Sequence, residues 1–312
     1  MATESINELI DLAMAGNRSA LARTLTLVES GDEVANAVHD KLLATEKSSL
    51  IVGVTGAPGA GKSTLVGALI RLLRARDQRV AVLAVDPSSP FSAGALLGDR
   101  LRMAPTERDS GVFIRSMASR GQQGGLAAAT LAATAVLEAC DWPLIIIETV
   151  GAGQAEIDIA GTADTTVVVV NPGWGDEVQA HKAGLMEIGD VFALNKADRP
   201  GLAETRADLE SLLATRPVSR EPISIVETIA TEDRGTEALW ERIEAHNGNQ
   251  DTQQRRLTRI EQALQLGIQS RLDARRNVLV TSPSFGEAVN TIAAGEQSLS
   301  GALTKLLARE DD

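Results

Sequence analysis

Seven short and almost continuously hydrophobic runs alternate with helical patterns through the middle of the chain. Runs of this kind are typical of strands that are buried on both faces, as in a parallel sheet covered by helices. The predicted strands are 50–54, 80–85, 112–116, 144–149, 165–170, 191–195 and 223–227. The predicted helices that follow them lie near 62–75, 125–140, 178–187, 202–213 and 236–246. This alternation predicts an α/β fold with a doubly wound, mostly parallel sheet, whose ligand loops follow the carboxyl ends of the strands.

Both ends of the chain show apolar residues at helical spacing. The first 47 residues predict helices that either cover a sheet edge or dock a partner. After a polar stretch near 247–255, an apolar stripe predicts a long helix that packs on its own core or on a second subunit. This stripe consists of Leu257, Ile260, Leu264, Ile268 and Leu272. We expect a helical extension at 1–47, a central α/β domain at 48–247 and a helical arm at 248–312.

Composition narrows the classes of partner. The chain has 30 Lys and Arg against 42 Asp and Glu, so its net charge of −12 lacks the basic surface that non-specific nucleic-acid binding needs. Anionic membranes would repel it, and no apolar run approaches the ~20 residues of a membrane helix. The single cysteine, Cys140, allows neither an internal disulfide nor a cysteine-based zinc cluster. We expect a cytoplasmic protein that binds neither nucleic acid nor membrane.

A glycine-rich segment follows the first predicted strand. Residues 56–63 read GAPGAGKS, which matches the phosphate-binding pattern G-x-x-x-x-G-K-[ST] between a strand and a helix. The glycines let backbone N–H groups converge on phosphate oxygens. Lys62 is expected to reach the β- and γ-phosphates, and the Ser63 hydroxyl to bind Mg²⁺. The predicted nucleotide contacts here are Gly56, Ala57, Pro58, Gly59, Ala60, Gly61, Lys62, Ser63 and Thr64.

The sequence Asn-Lys-Ala-Asp at 195–198 follows the sixth predicted strand. The Asp198 carboxylate can accept two hydrogen bonds from a guanine, whereas adenine offers no such pair of donors. Two hydrogen bonds to a charged group discriminate by about 10²- to 10⁴-fold, so GTP and GDP are predicted over ATP. Asn195 can brace the loop and the Lys196 stem can cover the base. A weaker signal places backbone N–H groups of Ile229 and Ala230 at the guanine oxygen, although a plain strand-to-loop transition fits nearly as well.

Acidic residues follow two other predicted strands. Glu148 lies at the end of strand 144–149, Asp86 follows strand 80–85, and Asp99 lies farther along. Because Mg²⁺ prefers oxygen ligands and keeps several waters, Ser63 with these three acids forms the predicted metal set. The N–H of Gly151 is placed to sense the γ-phosphate. Lys62, Asp99 and Glu148 are the predicted catalytic residues.

Long or glycine-rich loops are predicted at 87–111, 117–125 and 171–182, where a nucleotide-dependent switch would lie. Trp174 in the third loop either contacts a partner or packs locally. Arg115 and Arg120 are candidates for an arginine that stabilises the transferred phosphoryl group.

Six motifs occur in an order that resembles the MeaB/ArgK group of P-loop GTPases, within the SIMIBI class. They are VTGAPGAGKSTL, VDPSSPFSAGALLGDRLRM, RSMASRG, ETVGAGQAEIDIAG, NPGWGDEVQAHKAGLMEIGD and NKAD. The resemblance implies a SIMIBI-type G domain at 48–247 with helical extensions, binding of GTP, GDP and Mg²⁺, and a homodimer formed by the C-terminal arm. It also implies a chaperone of adenosylcobalamin-dependent acyl-CoA mutases, methylmalonyl-CoA mutase above all, that gates cofactor loading, protection and reactivation. The family roles fall on Lys62, Ser63, Asp86, Asp99, Glu148, Asn195, Lys196 and Asp198.

Three alternatives stay open. Gln122-Gln123, an altered loop after the strand 223–227 and a short C-terminal segment depart from the family pattern, which leaves open a paralogue serving a branched or hydroxylated acyl-CoA mutase. A metallochaperone GTPase would need Cys or His ligands, of which the chain has one Cys and three separated His. A kinase for a small substrate would need a general base and an acceptor pocket.

Overall fold

One seven-stranded sheet organises the protein. Its structure is a computed structural model that describes residues 3–29, 49–86, 109–118, 125–149, 161–174, 179–216, 223–248 and 252–308. The strands are β1 (Leu50–Gly56), β2 (Val80–Asp86), β3 (Val112–Ala118), β4 (Leu144–Thr149), β5 (Thr165–Val170), β6 (Val191–Asn195) and β7 (Ser224–Thr228). Their order is β3-β2-β4-β1-β5-β6-β7, and each neighbouring pair is parallel. The predicted α/β class with a parallel sheet is confirmed.

The described part of the chain also contains ten α-helices. In the described residues they are α1 (Thr3–Met14), α2 (Arg18–Val28), α3 (Lys62–Ala75), α4 (Gly125–Ala139), α5 (Gln179–Ile188), α6 (Leu202–Leu213), α7 (Thr236–Gly248), α8 (Thr252–Thr281), α9 (Pro283–Ala293) and α10 (Leu299–Ala308). None of these helices combines the length and the apolar character that crossing a bilayer requires.

The two faces of the sheet carry separate hydrophobic clusters. On β1, Val52 and Val54 belong to the cluster that contains α3, whereas Ile51 belongs to the cluster formed with α1, α2 and α4. Strand side chains alternate between faces, so helices cover both sides of the sheet. This is the doubly wound arrangement that the continuous hydrophobic runs predict.

The first two helices cover the edge of the sheet at β3. Leu21 and Leu25 of α2 are buried in the hydrophobic cluster that also contains residues of α1 and α4. Arg18, at the start of α2, donates to the carbonyl oxygens of Ser110 (2.9 Å) and Val112 (2.5 Å). Of the two interpretations of the N-terminal helices, these contacts support the layer over a sheet edge.

The helix that follows the glycine-rich loop is also fixed at its far end. Arg74, in the last turn of α3, donates to both oxygens of Asp109, at 2.8 and 3.2 Å. The Asp109 carboxylate also accepts the N–H of Gly111 at 2.8 Å. Hydrogen bonding to Arg74 is the main cause that lowers the pKa of Asp109, and the Gly111 N–H adds to it. The link ties α3 to the segment that enters β3.

By its internal contacts the chain divides into two compact units, Met1–Ala263 and Leu264–Asp312. The second unit contains the part of α8 from Leu264 onward and all of α9 and α10. Leu264, Ile268 and Leu272 recur every four residues on α8 and are each more than half exposed. The three-region division expected from the sequence, with limits at 47 and 247, stays a prediction.

Candidate nucleotide-binding site

The glycine-rich loop leaves the sheet where the strand order reverses. Strand β1 lies between β4 and β5, and its residue Gly56 pairs with Val169. In doubly wound sheets this switch point forms the ligand crevice. Gly56 has a φ of +132°, and a Cβ there would lie 2.1 Å from the Val169 carbonyl oxygen. Only glycine therefore allows the loop to leave β1 so close to β5.

The other end of the loop is the N-terminus of α3. Gly61 caps this helix with a φ of +99° and has no side chain to accept hydrogen bonds from the first-turn N–H groups. Nothing lies within 4 Å of the position that a Cβ on Gly59 would occupy. Unsatisfied donors at a helix N-terminus bind anions, and the open side of Gly59 leaves room for one. The loop therefore fits phosphate groups.

The Lys62 side chain folds back onto the glycine-rich loop that precedes it. Its Nζ donates to the carbonyl oxygens of Gly56 (2.6 Å) and Ala57 (2.9 Å), and the residue is buried. These contacts hold a positive charge against the loop expected to bind phosphate. Negative phosphate oxygens are stronger acceptors for an ammonium group than neutral carbonyls are.

Ser63 and Glu148 come together beside this loop. The Ser63 hydroxyl donates to Glu148 Oε1 at 2.5 Å, and Glu148 is only 2% exposed. A hydroxyl and a carboxylate oxygen at this distance supply two of the hard oxygen ligands that Mg²⁺ prefers. Among the described residues no group of three or more His, Cys, Asp and Glu could hold a metal.

Three members of the predicted metal and phosphate set fall outside the described residues in whole or in part. Asp86 ends β2, the neighbour of β4, but its side chain is not described. Asp99 and Gly151 lie outside the described ranges. Their roles stay predictions.

Asn195 joins the glycine-rich loop to the guanine-recognition side of the site. Its Nδ2 donates to the Ala60 carbonyl oxygen at 2.9 Å. Its Oδ1 accepts the Thr228 hydroxyl at 3.1 Å and the Ala230 N–H at 3.2 Å. A Cβ on Gly61 would lie 2.4 Å from the same Nδ2. The structure thus gives Asn195 a loop-bracing position, and it is 2% exposed.

Lys196 makes a second link between the two motifs. With a φ of +58°, it extends its Nζ to the Gly59 carbonyl oxygen at 2.5 Å. Asp198, two residues later, is exposed. The chain therefore brings the two motifs together and leaves the Asp198 carboxylate accessible to a ligand, as guanine recognition requires.

Ile229 and Ala230 are buried beside Asn195, but their N–H groups are engaged within the protein. The Ile229 N–H donates to the Arg234 carbonyl oxygen at 2.9 Å, and the Ala230 N–H donates to Asn195. Neither N–H is turned to a ligand in this structure, and contact between this pair and the base stays a prediction. The sequence analysis did not identify Thr228 as part of the site. Thr228 pairs with Asn195 in the sheet, so the pairing of β6 with β7 would have indicated it.

Trp174 is buried rather than exposed. It is 5% exposed and belongs to the hydrophobic cluster on the α3 face. Its backbone N–H donates to the Asn171 carbonyl oxygen at 3.1 Å and closes a turn around Pro172 and Gly173. Of the two interpretations of Trp174, the structure supports local packing.

Arg115 does not lie at the glycine-rich loop. It is on the edge strand β3, three strand spacings or about 14 Å from β1. It donates to Glu29 at 2.6 Å and to the Thr26 hydroxyl at 3.1 Å, both on the N-terminal layer. Its position does not support a role at the phosphates, and the other candidate, Arg120, lies outside the described residues.

Known proteins resemble this chain in sequence and in fold. The sequence model of the family "Methylmalonyl Co-A mutase-associated GTPase MeaB" matches residues 21–289. A curated relative from Pyrococcus abyssi is 49% identical over 246 residues, which span 77% of this chain and 76% of that protein. The GTPase ArgK of Escherichia coli K12 is 37% identical over 237 residues, 73% of this chain and 72% of its own. A crystal structure described as an LAO/AO transport system kinase superposes with a TM-score of 0.70 at 25% identity, covering 100% of this chain and 99% of that one.

Proposed function

Since the chain belongs to the MeaB family of P-loop GTPases, we propose that it is a chaperone of an adenosylcobalamin-dependent acyl-CoA mutase. Methylmalonyl-CoA mutase or a close relative is the partner. Binding and hydrolysis of GTP gate the loading of the mutase's cofactor and its protection and reactivation. The description of the family supports the choice of partner.

One observation supports the nucleotide part of the proposal above all others. The hydrogen bond from Asn195 to the Ala60 carbonyl joins the phosphate loop to the base motif, although the two are 135 positions apart. A turn that merely resembled either motif by chance would have no reason to lie against the other. In this proposal the crevice at the switch point binds the phosphates at Gly59 and Lys62 and the base at Asp198.

Hydrolysis in this crevice is an in-line attack of water on the γ-phosphorus. Lys62 exchanges its two carbonyl contacts for β- and γ-phosphate oxygens and stabilises the charge on them. Backbone N–H groups at the start of α3 bind the remaining phosphate oxygens. We expect the protein alone to turn over GTP slowly and a partner to accelerate the reaction.

A magnesium ion fits the same end of the crevice. Ser63 and Glu148 would hold it, the hydroxyl directly and the carboxylate directly or through water, and Asp86 and Asp99 would complete its surroundings. When bound, magnesium neutralises phosphate charge as a Lewis acid. Before it binds, the hydrogen bond to Glu148 orients the Ser63 hydroxyl toward the carboxylate. Gly151 would report the presence of the γ-phosphate.

The arm at 248–312 forms a homodimer in this proposal. Leu264, Ile268 and Leu272 on α8 are between 55% and 63% exposed, and apolar residues that recur on one helical face supply the contact surface for the second subunit. The single cysteine agrees with a cytoplasmic location. One chain has a mass of 32.8 kDa. Light scattering at micromolar concentration should give twice that mass, and a result at the mass of one chain would contradict the dimer.

The partner is tested with purified enzymes. Methylmalonyl-CoA mutase, a branched-chain acyl-CoA mutase and a hydroxyacyl-CoA mutase are each titrated into the protein with GDP or a non-hydrolysable GTP analogue. One of them should change the affinity for the two nucleotides unequally, by a factor in the 5- to 150-fold range usual for coupled sites. ATP and ADP serve as control nucleotides. If all three mutases leave both affinities unchanged, the chaperone proposal is wrong, while the GTPase assignment is unaffected.

A further inference from the structure

The loop between β7 and α7, residues 229–235, is closed on itself. Ile229 and Arg234 exchange two backbone hydrogen bonds, from the Ile229 N–H at 2.9 Å and from the Arg234 N–H at 3.3 Å. Gly235 ends the loop with a φ of +77°, and a Cβ there would lie 2.1 Å from the Glu227 carbonyl oxygen, so only glycine fits. A loop that is closed by its own hydrogen bonds moves as one piece.

One side of this β7–α7 loop faces the guanine motif. Ile229 and Ala230 are buried, and the Ala230 N–H donates to Asn195 Oδ1 at 3.2 Å. Asn195 is the first residue of the motif that ends at Asp198. The β7–α7 loop therefore forms part of the base end of the proposed crevice.

The other side of the β7–α7 loop is held by α3, the helix that begins at the glycine-rich loop. Arg71 Nε donates to both carboxylate oxygens of Asp233 at 3.2 Å, and Arg71 Nη2 donates to Asp233 Oδ1 at 2.5 Å. A contact through two oxygens fixes the direction of the carboxylate as well as its distance. Asp233 has a φ of +55°, a left-handed conformation that aspartate and asparagine adopt more readily than most residues.

Two nearby ion pairs do not make the same link. Arg234 lies 3.8 Å from Glu232, and both belong to the β7–α7 loop. Arg76 of α3 pairs at 2.8 Å with Glu237, which lies beyond the loop on α7. Arg71 is thus the member of this set that ties α3 to the loop itself.

Helix α3 reaches both ends of the proposed nucleotide site through this link. Its first turn follows Gly61 at the phosphate end. Arg71 lies nine residues after Lys62, which is about 14 Å along the helix axis at 1.5 Å per residue. Because a hydrogen-bonded helix is stiff over such a length, α3 fixes the distance between the phosphate end and the β7–α7 loop.

We propose that Arg71 is a positioning residue that acts through Asp233 to hold the β7–α7 loop in place for the guanine base. The inference rests on the proposed guanine-nucleotide site and names a residue that sets the strength of its base end. The effect is preorganisation, because the ion pair raises the fraction of molecules whose loop is placed to receive the base. The chemical step at the phosphate end does not depend on it.

Titration calorimetry with GDP and magnesium tests the proposal in the full-length protein. Arg71→Gln should weaken GDP binding about two- to fivefold, the factor that an exposed ion pair supplies, since the two side chains are 45% and 53% exposed. Asp233→Asn, which keeps a residue suited to the left-handed backbone, should have the same effect. The double variant should bind GDP no more weakly than either single variant, because both substitutions break one interaction. Arg71→Lys should recover part of the loss.

Steady-state hydrolysis separates positioning of the base from general loosening of the structure. In Arg71→Gln the KM for GTP should rise by the same factor while kcat stays at the wild-type value, the pattern expected when binding alone is weakened. General loosening would also lower kcat. A fall in kcat with an unchanged KM would contradict the inference.

Arg76→Gln is the matched control, because Arg76 lies on the same helix and pairs with α7 outside the loop, with side chains 33% and 68% exposed. It should leave the GDP affinity unchanged. Wild-type affinity in Arg71→Gln, an equal loss in Arg76→Gln, or losses that add in the double variant would each overturn the inference and leave the guanine site standing. If the wild-type protein does not bind GDP, the guanine site itself is wrong and the inference falls with it.

Discussion

Replacing Lys62 with alanine will lower the rate constant of GTP hydrolysis about 10²- to 10³-fold, the loss usual when one preorganised charge-stabilising group is removed. The expectation follows from position as well as from the motif. The ammonium already lies on the loop, within 3 Å of the Gly56 and Ala57 carbonyl oxygens. Phosphate oxygens bound to the N–H groups at the start of α3 would therefore be within its reach. Release of inorganic phosphate from labelled GTP at saturating magnesium measures the effect.

Lys305→Ala provides the matched control for this substitution. Lys305 is an exposed residue in the last turn of α10, in the other compact unit, so its removal should leave hydrolysis unchanged. The label also distinguishes the reactions, because transfer of phosphate to an acceptor instead of to water would indicate a kinase. Full hydrolysis by Lys62→Ala would show that another group stabilises the transferred phosphoryl.

Replacing Asp198 with asparagine will reduce the affinity for GTP by about 10²- to 10⁴-fold, because the amide is uncharged and has only one acceptor atom for the two guanine donors. The exposed carboxylate is expected to accept the ring N–H and the exocyclic amine of guanine. An asparagine amide can donate instead, and xanthine carries an oxygen where guanine has the amine. Xanthosine triphosphate should therefore bind the variant better than GTP does, whereas the order is reversed in the wild type. Calorimetric titration measures both affinities.

Asp208→Asn is the control for the change of charge, since Asp208 is an exposed carboxylate on α6. It should leave both affinities as they are in the wild type. If Asp198→Asn bound GTP as tightly as the wild type, the base would have to be recognised elsewhere. The backbone around Ile229 would then be the next place to look.

The sheet could be predicted almost entirely from the sequence because parallel strands buried on both faces leave continuous hydrophobic runs. Strands β4, β5 and β6 begin and end where the pattern predicts. Strand β3 is two residues longer than predicted, because Met117 and Ala118, which were assigned to the following loop, continue its pairing with β2. A charged residue is tolerated in that strand because Glu29 pairs with Arg115 from the N-terminal layer.

The site could be predicted in part, and the division has a physical basis. The phosphate loop and Asp198 belong to contiguous motifs whose chemistry is local. The role of Asn195 toward Ala60 depends on which strands are neighbours, which the sequence pattern does not specify. The same applies to Trp174, because the choice between a partner contact and local packing depends on its place in the cluster on the α3 face.

Titration calorimetry with magnesium tests whether the protein binds a guanine nucleotide through both the loop at 56–63 and the motif at 195–198. GTP and GDP should each bind with measurable heat, and ATP under the same conditions should give none up to a concentration about 10²-fold higher. Equal affinities for GTP and ATP would contradict the role of the motif at 195–198. No binding of either nucleotide would contradict the assignment of the loop at 56–63 as well.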